Sequence, residues 1–349
     1  MKTPVHSSPH LQTPFGHFVG HTLGYPGNIC AELVIYTGLT GYLETLSDPS
    51  YQGQLVVFTS AMVGNYWPEQ SQMQSSTIQV AGLILRNYSP PPLHPGQSTL
   101  ASLLMAAQIP ALTGVDTRSL ALAWAQAKVP GLAQIISQPG AEMAPAEAPH
   151  PRAVSVSAPI FHRGGEKTVV LVDCGSKLCL LHWLREAGLS VWQVPWDFDW
   201  TALPHHGVLL SNGPGDPRQC QATVDILKRG LRPTLPVLGI CLGAQLLALA
   251  AGAQTYRLPY GHRGANHPCL DLTTGRSSIT AMNHGYAIQA NSLPPDWRVS
   301  FRHLHDGSRA GLMHRHFPWR GVQFHPEGHP GPQDSGYILK NFLEEVFNA

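Results

Sequence analysis

The chain has 349 residues, and this length together with a hydrophobic content of 43% favours two domains with sizeable cores. Charged residues make up 12%, and 22 lysines and arginines against 21 aspartates and glutamates give a formal net charge of +1. This balance argues against a nucleic-acid-binding protein, which needs a basic patch, and the lack of an apolar run of about 18 residues argues against a membrane-spanning helix.

The first part of the chain mixes candidate strands and helices without regular alternation. Apolar and β-branched runs predict strands at 30–38, 53–65 and 78–87, and helical spacing predicts helices at 98–108 and 117–128. We therefore expect a smaller N-terminal α+β domain over residues 1–140. Residues 141–167, rich in Pro, Ala and Gly, are interpreted as an inter-domain linker.

Residues 168–349 follow a different pattern, in which strands and helices alternate. Strands are predicted at 168–174, 190–196, 206–213 and 235–241, and helices at 178–188, 217–230 and 242–253. Alternation of continuously apolar strands with helices is typical of a parallel sheet covered on both faces. We therefore expect an α/β fold whose C-terminal domain is a doubly wound, mostly parallel sheet.

The cysteines and histidines show no metal-site pattern. Six cysteines in a chain of this length do not indicate a disulfide scaffold, and the N-terminal segment lacks the continuous apolar stretch of a signal peptide, so a cytoplasmic protein is expected. The 19 histidines are scattered, and neither an H-E-x-x-H nor a C-x-x-C spacing occurs. No metal site is therefore predicted.

Cys241 lies where a predicted strand meets a predicted helix. A cysteine after an apolar run is most often a buried core residue. Gly239 and Gly243 flank it at two positions on either side, however, which is the spacing of a nucleophile elbow. The N-terminus of the following helix favours the thiolate, and the backbone N–H of Leu242 is available for an oxyanion hole. This context indicates a nucleophile at Cys241.

The segment GVQFHPE (321–327) supplies a candidate base for that thiol. His325 and Glu327 are two positions apart, and in an extended segment such side chains point the same way. Glu327 can then orient His325, while His325 exchanges protons with Cys241 and the leaving amine. An H-x-E pattern alone is weak, and a surface histidine beside a solvated acid is the plain alternative. Together with the elbow 84 residues upstream, the pattern indicates a Cys–His–Glu triad.

These motifs resemble a known family. G-x-C-x-G-x-Q followed by H-P-E resembles the class I, triad-type glutamine amidotransferases. The stretches 37–51, 114–120, 209–217 and 282–288 narrow the resemblance to the small subunit of carbamoyl-phosphate synthetase. The resemblance implies a flavodoxin-like amidotransferase domain over 168–349. It also implies that glutamine is hydrolysed through a glutamyl thioester, and that the ammonia passes to an ATP-using large subunit that makes carbamoyl phosphate from bicarbonate.

The resemblance assigns roles residue by residue. It implies that Cys241 is the nucleophile, His325 the acid and base, and Glu327 the partner of His325. Leu242 and Gly213 are expected to make backbone contacts on the oxyanion side. The remaining residues implied to hold the glutamine are Ser50, Gly215, Gln245, Asn283, Gly285 and Tyr286.

Several of these glutamine-binding assignments have plain alternatives in the residues themselves, and for Gly213 and Gly215 the alternative is an ordinary Gly/Pro turn. Ser50 also fits an ordinary turn after Asp48 and Pro49, and Asn283 and Gly285 fit a tight turn that leaves His284 exposed.

The sequence also departs from the family pattern at several positions, among them Gly328 and His329 after H-P-E and Tyr286, where phenylalanine is common. Ala244 stands where a histidine is common, and Leu178 and Cys179 replace an arginine and an asparagine after Lys177 of the D-x-G-x-K pattern. Because no triad residue is missing, we expect intact hydrolytic chemistry, and we expect the departures to affect coupling to a synthetase more than hydrolysis.

Three hypotheses follow, and they differ in partner or in chemistry. No G-x-x-x-x-G-K-[ST] or G-x-G-x-x-G loop is present, so we expect no cofactor in this chain, with ATP and Mg²⁺ on a large subunit. The first hypothesis is the glutaminase subunit of a carbamoyl-phosphate synthetase, in arginine or pyrimidine biosynthesis. The second is a divergent paralogue that donates ammonia to another synthetase, and the third is a non-catalytic regulatory subunit.

Overall fold

A computed structural model describes residues 8–92, 96–127, 131–138 and 140–349. The chain divides into two compact units, an N-terminal unit, Met1–Ala148, and a C-terminal unit, Pro149–Ala349. Residues 1–7 of the segment considered for a signal peptide, and Lys128 at the end of a predicted helix, lie outside the described residues. Within the described ranges, no helix combines the length and the apolar character needed to cross a bilayer.

The N-terminal unit is built on one mixed sheet. Its elements are β1 (His10–Thr13), β2 (Gly16–Val19), β3 (His21–Thr22), β4 (Asn28–Tyr36), α1 (Tyr42–Ser47), β5 (Gln54–Phe58), β6 (Gly82–Leu85), α2 (Leu100–Ala106), β7 (Ala111–Thr113), α3 (Thr117–Ala127), β8 (Leu132–Ile136) and β9 (Met143–Pro145). The strand order is β2-β1-β8-β4-β5-β6-β7-β3, with β9 paired to β4. Strands β4 to β7 run parallel, and the pairs β1–β2, β1–β8, β4–β8 and β3–β7 are antiparallel.

Apolar side chains from both faces of this sheet form its cores. On one face, Leu43 and Leu46 of α1 and Leu104 of α2 pack with the buried strand residues. On the other face, Leu120 and Trp124 of α3 do the same. The strand predicted at 53–65 is shorter than expected and ends at Phe58, since the chain turns and reaches a left-handed conformation at Gly64, with φ +85°.

The C-terminal unit is built on a second sheet. Its elements are β10 (Ile160–His162), β11 (Thr168–Asp173), α4 (Leu178–Glu186), β12 (Ser190–Pro195), β13 (Gly207–Leu210), α5 (Gln221–Gly230), β14 (Val237–Ile240), α6 (Leu242–Ala250), β15 (Thr255–Asp271), β16 (Ser277–Ile288), β17 (Trp297–His303), β18 (Arg309–His314), β19 (Trp319–Val322) and α7 (Tyr337–Asn348). The strand order is β10-β12-β11-β13-β14-β19-β18-β17-β15-β16.

This second sheet has a parallel half and an antiparallel half. Strands β12, β11, β13, β14 and β19 run parallel, and their alternate faces are covered by α5 and α6 on one side and by α4 and α7 on the other. The doubly wound, mostly parallel arrangement expected from the strand–helix alternation is therefore confirmed. Beyond β19 the sheet continues through the antiparallel strands β18, β17, β15 and β16, which the sequence pattern did not predict.

The stretch expected to be a linker, 141–167, carries short strands. In the N-terminal unit, β9 pairs with β4, and in the C-terminal unit β10 pairs with β12 at the edge of the sheet. The boundary between the units lies inside this stretch, after Ala148. Prolines and glycines suppress the periodic pattern that reveals a strand, and short peripheral strands tolerate them.

Candidate active site

The site begins with a sharp turn at Cys241, between the end of β14 and the start of α6. The backbone of Cys241 has φ 53° and ψ −105°, a positive φ that few residues other than glycine adopt. A Cβ atom at Gly239 would lie 2.5 Å from the carbonyl oxygen of Gly243, and one at Gly243 would lie 2.2 Å from the carbonyl oxygen of Leu210. Both flanking positions therefore require glycine, and the turn has the construction of a nucleophile elbow.

The Cys241 side chain is buried, with 2% of its surface exposed. Its Sγ lies 3.4 Å from the carbonyl oxygen of Asn283 on β16 and 3.7 Å from Nε2 of Gln323. Leu242 is the first residue of α6, and the first N–H groups of a helix have no partner within the helix. The thiol thus lies at the N-terminus of α6, beside polar groups from two other segments.

His325 and Glu327 form a buried pair just beyond β19. The Nδ1 atom of His325 lies 2.8 Å from Oε1 of Glu327, and both side chains are 3% exposed. The backbone N–H of His325 donates to the carbonyl oxygen of Ala281 on β16. Its Nε2 is buried and makes no hydrogen bond of full geometry among the described residues. This nitrogen therefore remains for the thiol of Cys241.

The local conformation at this pair differs from the sequence expectation. An extended segment was expected to align the two side chains, but β19 ends at Val322 and the chain turns at Pro326 and Glu327. The turn, rather than strand alternation, brings the Glu327 carboxylate back to His325. The alternative of a surface histidine beside a solvated acid is wrong, since both groups are buried.

Lys177 is a third charged group at this site, and the sequence reasoning did not assign it a role. Its Nζ lies 2.8 Å from the same Glu327 oxygen and donates to the carbonyl oxygens of Gly328 and His329 at 2.6 and 3.1 Å. Only 2% of the Lys177 side chain is exposed. A fully buried lysine is rare unless it is paired, and this burial is the signal that identifies it. The D-x-G-x-K pattern was noticed in the sequence, but the pairing across 150 positions was not.

Burial and charge act in opposite directions on the pKa values of the pair. Burial alone lowers the pKa of His325, but the Glu327 carboxylate, with a smaller contribution from Cys241, outweighs burial and the Lys177 charge and raises that pKa to about 9. Burial alone raises the pKa of Glu327, but the neighbouring Lys177 and His325 lower it to about 2. At neutral pH, His325 is therefore an imidazolium and Glu327 a carboxylate.

Gln245 connects α6 to the strands around the thiol. Its Nε2 donates to the carbonyl oxygen of Tyr286 at 2.7 Å and to Oε1 of Gln323 at 3.0 Å. Gln323 in turn contacts Cys241, so it joins the site as a second residue that the sequence reasoning missed. The ring of Tyr286 lies under the guanidinium groups of Arg218 and Arg257, 5.9 and 5.8 Å from its centroid.

The predicted glycines Gly213 and Gly215 follow strand β13. A Cβ at Gly213 would lie 2.0 Å from the carbonyl oxygen of Cys174 and 3.0 Å from the Leu242 side chain, so this position requires close backbone approach. Gly215 has φ +93°, and a Cβ there would lie 2.4 Å from the carbonyl oxygen of Pro149. The structure therefore places both glycines in the segment after β13, where neighbouring backbone leaves no room for a side chain.

Residues 282–288 form strand, not turn. Asn283 pairs with Arg263 in the β15–β16 ladder, and Gly285 lies two positions further along β16, with a built Cβ 3.3 Å from the same arginine. The tight-turn alternative is wrong for this stretch, and His284 is buried rather than exposed. The Asn283 side-chain nitrogen is buried and has no hydrogen-bond partner among the described residues.

Ser50 lies in the N-terminal unit, where the turn alternative describes its local structure. It is buried in the single 3₁₀ turn Pro49–Tyr51, and its backbone N–H donates to Oδ1 of Asp48 at 2.9 Å. Its expected contact with glutamine stays a prediction.

The departures from the family pattern have different environments. Ala244 is fully buried in α6, and a Cβ at Gly321 of β19 would lie 2.8 Å from the Ala244 Cβ. A larger residue at position 244 would therefore press on the sheet. Leu178 begins α4 and is 38% exposed, and Cys179 follows it half-buried.

Comparison with known proteins agrees with this geometry. The model of the family described as "Glutamine amidotransferase class-I" matches residues 170–346, and the model described as "Carbamoyl-phosphate synthase small chain, CPSase domain" matches residues 16–129. A carbamoyl phosphate synthase arginine-specific small chain from Phaeosphaeria nodorum is 39% identical over 94% of this chain and 74% of its own length. A carbamoyl phosphate synthase small chain from Symbiobacterium thermophilum is 40% identical over 94% of this chain and 96% of its own length.

The chain belongs to the carbamoyl-phosphate synthase small chain family. The resemblance inferred from the motifs is thereby confirmed, and the C-terminal unit carries the family's class I glutamine amidotransferase domain. Among solved structures, a glutamine amidotransferase from Thermotoga maritima matches 54% of this chain and 86% of its own, with 18% identity and a TM-score of 0.37.

Proposed function

We propose that this chain is the glutamine-hydrolysing subunit of a carbamoyl-phosphate synthase. It releases ammonia from L-glutamine and passes it to a large subunit that makes carbamoyl phosphate from bicarbonate. The observation that carries this proposal is the buried Glu327–His325 pair, whose unpartnered Nε2 is available to a cysteine held on a nucleophile elbow. The names of relatives that match 94% of the chain give the reaction that this chemistry serves.

The first half of the reaction forms a thioester. The Cys241 thiolate, whose proton has passed to His325, attacks the side-chain amide carbon of glutamine, and the amide oxygen takes up the negative charge. Backbone N–H groups of Leu242 and Gly213 are proposed to stabilise this oxyanion. The imidazolium of His325 then gives its proton to the leaving nitrogen, the C–N bond breaks, and ammonia departs from a γ-glutamyl thioester.

The second half consumes water. His325, now neutral, removes a proton from a water molecule that attacks the thioester carbon, and the C–S bond breaks to release glutamate. Glu327 stays ionised throughout and stabilises the imidazolium each time it forms. While His325 is protonated, Lys177 and His325 carry positive charge and Glu327 negative charge, so the three groups together have one net positive charge. This charge favours the negative charge that develops on the reacting atoms.

The substrate glutamine is proposed to lie against the polar groups around the elbow. Gln245 and Tyr286 are already joined by a hydrogen bond, and the orphaned side-chain nitrogen of Asn283 is a donor for a ligand oxygen. Gly215 and Gly285 are proposed to let the ligand approach the backbone closely. Ser50 is proposed as a further glutamine-binding residue.

The proposal also covers the cofactors, the pathway and the cellular compartment. No cofactor is proposed in this chain, and ATP and Mg²⁺ are assigned to the large subunit. The arginine-specific names of fungal relatives support arginine biosynthesis as the pathway supplied. None of the six cysteines forms a disulfide, which supports a reducing, cytoplasmic compartment.

The other two hypotheses are not favoured. A paralogue that feeds a different synthetase would not be expected to match carbamoyl-phosphate synthase small chains over 94% of its length. A non-catalytic subunit would not need a buried lysine, carboxylate and histidine beside a strained cysteine, because such a cluster costs stability.

Glutamate release from glutamine, measured for the chain alone and with a cognate large subunit, tests the proposal. We expect hydrolysis that rises when the large subunit, ATP and bicarbonate are added, and loss of hydrolysis in Cys241→Ser. The matched control is Cys179→Ser, which changes a half-buried thiol at the start of α4 and should keep the activity. No hydrolysis in either setting, or equal activity in Cys241→Ser and wild type, would contradict the proposal.

A further inference from the structure

A cluster of histidines lies in the antiparallel half of the second sheet. His267 is on β15, His303 is the last residue of β17, and His305 follows in the turn before β18. In the antiparallel β15–β17 ladder, Cys269 lies opposite His303, and the N–H of Leu304 donates to the carbonyl oxygen of Pro268. Continued two positions beyond the Cys269–His303 pair, the same register puts His267 opposite His305. Strand pairing therefore brings together three imidazoles that are distant in sequence.

The nitrogen atoms of these three histidines are close enough to share one ion. Nδ1 of His267 lies 3.1 Å from Nε2 of His303. One nitrogen from each of the three rings lies within 4.8 Å of the other two. A tetrahedral zinc ion with Zn–N bonds of about 2.0–2.1 Å needs ligand nitrogens about 3.3 Å apart. A rotation of the exposed His305 side chain can shorten the distances from its ring nitrogen to the nitrogens of His267 and His303 to that spacing.

A carboxylate fixes the orientation of the central ring. Oδ1 of Asp306 accepts a hydrogen bond from Nδ1 of His303 at 2.8 Å, which leaves the His303 Nε2 lone pair directed at His267. Histidines that ligate a metal commonly donate their outer N–H to a carboxylate in this way. On the other side, Nε2 of His267 is buried and has no hydrogen-bond partner among the described residues. Nε2 can therefore carry the ring proton when Nδ1 of His267, which faces His303, gives its lone pair to an ion.

The cluster is also open at one side. His303 is buried, His267 is half-buried and His305 is exposed, so an ion can enter from solvent along the His305 side. Three imidazole nitrogens suit zinc and its first-row neighbours, whereas Mg²⁺ and Ca²⁺ prefer oxygen ligands. Three protein ligands leave a fourth position for water or another group.

We propose that His267, His303 and His305 bind one divalent transition-metal ion of the zinc type, with Asp306 orienting His303. The ion ties the turn after β17 to strand β15. The second oxygen of Asp306 lies 2.8 Å from Nε2 of His262, and Nδ1 of His262 lies 3.2 Å from Nε2 of His284. Hydrogen bonds therefore run from the proposed site to β16, the strand that carries Asn283.

Direct metal binding tests the proposal independently of glutamine hydrolysis. The full-length chain carrying Cys241→Ala, which removes the elbow thiol as a competing ligand, is titrated with Zn²⁺ by calorimetry and with Co²⁺ by visible absorption. We expect one ion per chain. His305→Gln and His267→Gln should each bind at least about tenfold more weakly, and Asp306→Asn about 10–100-fold more weakly. Because His305 is exposed, its variant should fold whether or not the buried ones do.

The matched control is His182→Gln, which removes an exposed histidine from α4 and should bind Zn²⁺ like its parent. Absence of saturable binding to the parent chain would overturn the proposal. Equal binding by His305→Gln, His267→Gln and the parent would also overturn it, because the ion would then be held elsewhere.

Discussion

Two carboxylates in the C-terminal unit contact histidines at the same distance, yet the pKa values of His325 and His262 are shifted in opposite directions. Glu327 lies 2.8 Å from His325, and Asp306 lies 2.8 Å from both His262 and His303. The pKa of His325 is raised to about 9, whereas burial and the neighbouring His303 hold the pKa of His262 below its usual value. A hydrogen-bonded carboxylate therefore does not by itself make a histidine basic.

The neighbours explain the difference. Glu327 is fully buried and serves one histidine, so its charge is little screened and is not shared among several rings. Asp306 is 36% exposed and is shared by two histidines whose ring centroids lie 4.2 Å apart. Burial, followed by the like charges of His262 and His303, lowers the pKa of His267 to about 4. His262, which shares its carboxylate with another ring, therefore has a lowered pKa, whereas His325, the one histidine on Glu327, has a raised pKa.

The largest expected effect is the loss of glutamine hydrolysis when His325 is replaced. His325→Asn removes the acid and base of the proposed reaction, and general acid–base groups contribute about 10²–10⁴-fold. We expect kcat for glutamine hydrolysis to fall by that factor, measured as glutamate release at saturating glutamine. His182→Asn, on the exposed face of α4, is the control and should behave as wild type. A loss below tenfold would mean that the raised pKa of His325 has no catalytic purpose.

The second-largest effect is expected at Lys177, the lysine that pairs with Glu327. Lys177→Met leaves the Glu327 carboxylate buried with one partner fewer, and breaking a buried ion pair costs about 3–5 kcal/mol. Because His325 still faces the carboxylate, we expect a loss near the lower limit, measured by urea unfolding. The double variant Lys177→Met/Glu327→Gln removes both charges and should recover part of the loss. An additive double variant would show that the two residues do not interact.

The third effect tests the sign of the pKa shift. Glu327→Gln takes away the anion that stabilises the imidazolium and leaves the Lys177 charge uncompensated, and both changes lower the pKa of His325. Hydrolysis in wild type should decline above pH 9, as His325 loses the proton it gives to ammonia. In the variant, this alkaline limb of kcat/KM should move to lower pH. An unmoved limb would assign it to another group.

The smallest effect is expected at the shared carboxylate. Asp306→Asn weakens two hydrogen bonds at a partly exposed position, which costs about 1–2 kcal/mol of unfolding free energy. We expect glutamine hydrolysis to change less than tenfold, far less than in Glu327→Gln, with both variants assayed side by side. Equal losses in the two variants would erase the functional distinction between the contacts.

The sequence predicted those site residues that belong to short local motifs. It missed the contacts that form only when distant segments of the chain come together in the fold. The glycines around Cys241 and the H-P-E pattern follow from turn sterics and from the needs of a nucleophile, and the structure puts them at the carboxyl ends of the adjacent strands β14 and β19. The contact of Lys177 with Glu327 depends on chain segments 150 positions apart, which no local pattern encodes.

The antiparallel strands were not predicted from the sequence, for a related reason. Strand β15 contains prolines, glycines and histidines and lacks the alternation that reveals a half-exposed strand, so neither it nor its register was predicted. Without that register, His267 and His303 are two of many scattered histidines. Their proximity is a product of sheet geometry rather than of spacing in the sequence.

The backbone of Cys241 also limits how this position can evolve. A residue branched at Cβ is a severe outlier at φ 53°, so threonine and valine are poor replacements, and neither flanking glycine can acquire a side chain. The tolerated single exchanges are small ones such as serine, alanine or glycine, which weaken or delete the nucleophile. A descendant of this protein can therefore become inactive in one mutational step but has few steps toward a different reactive group.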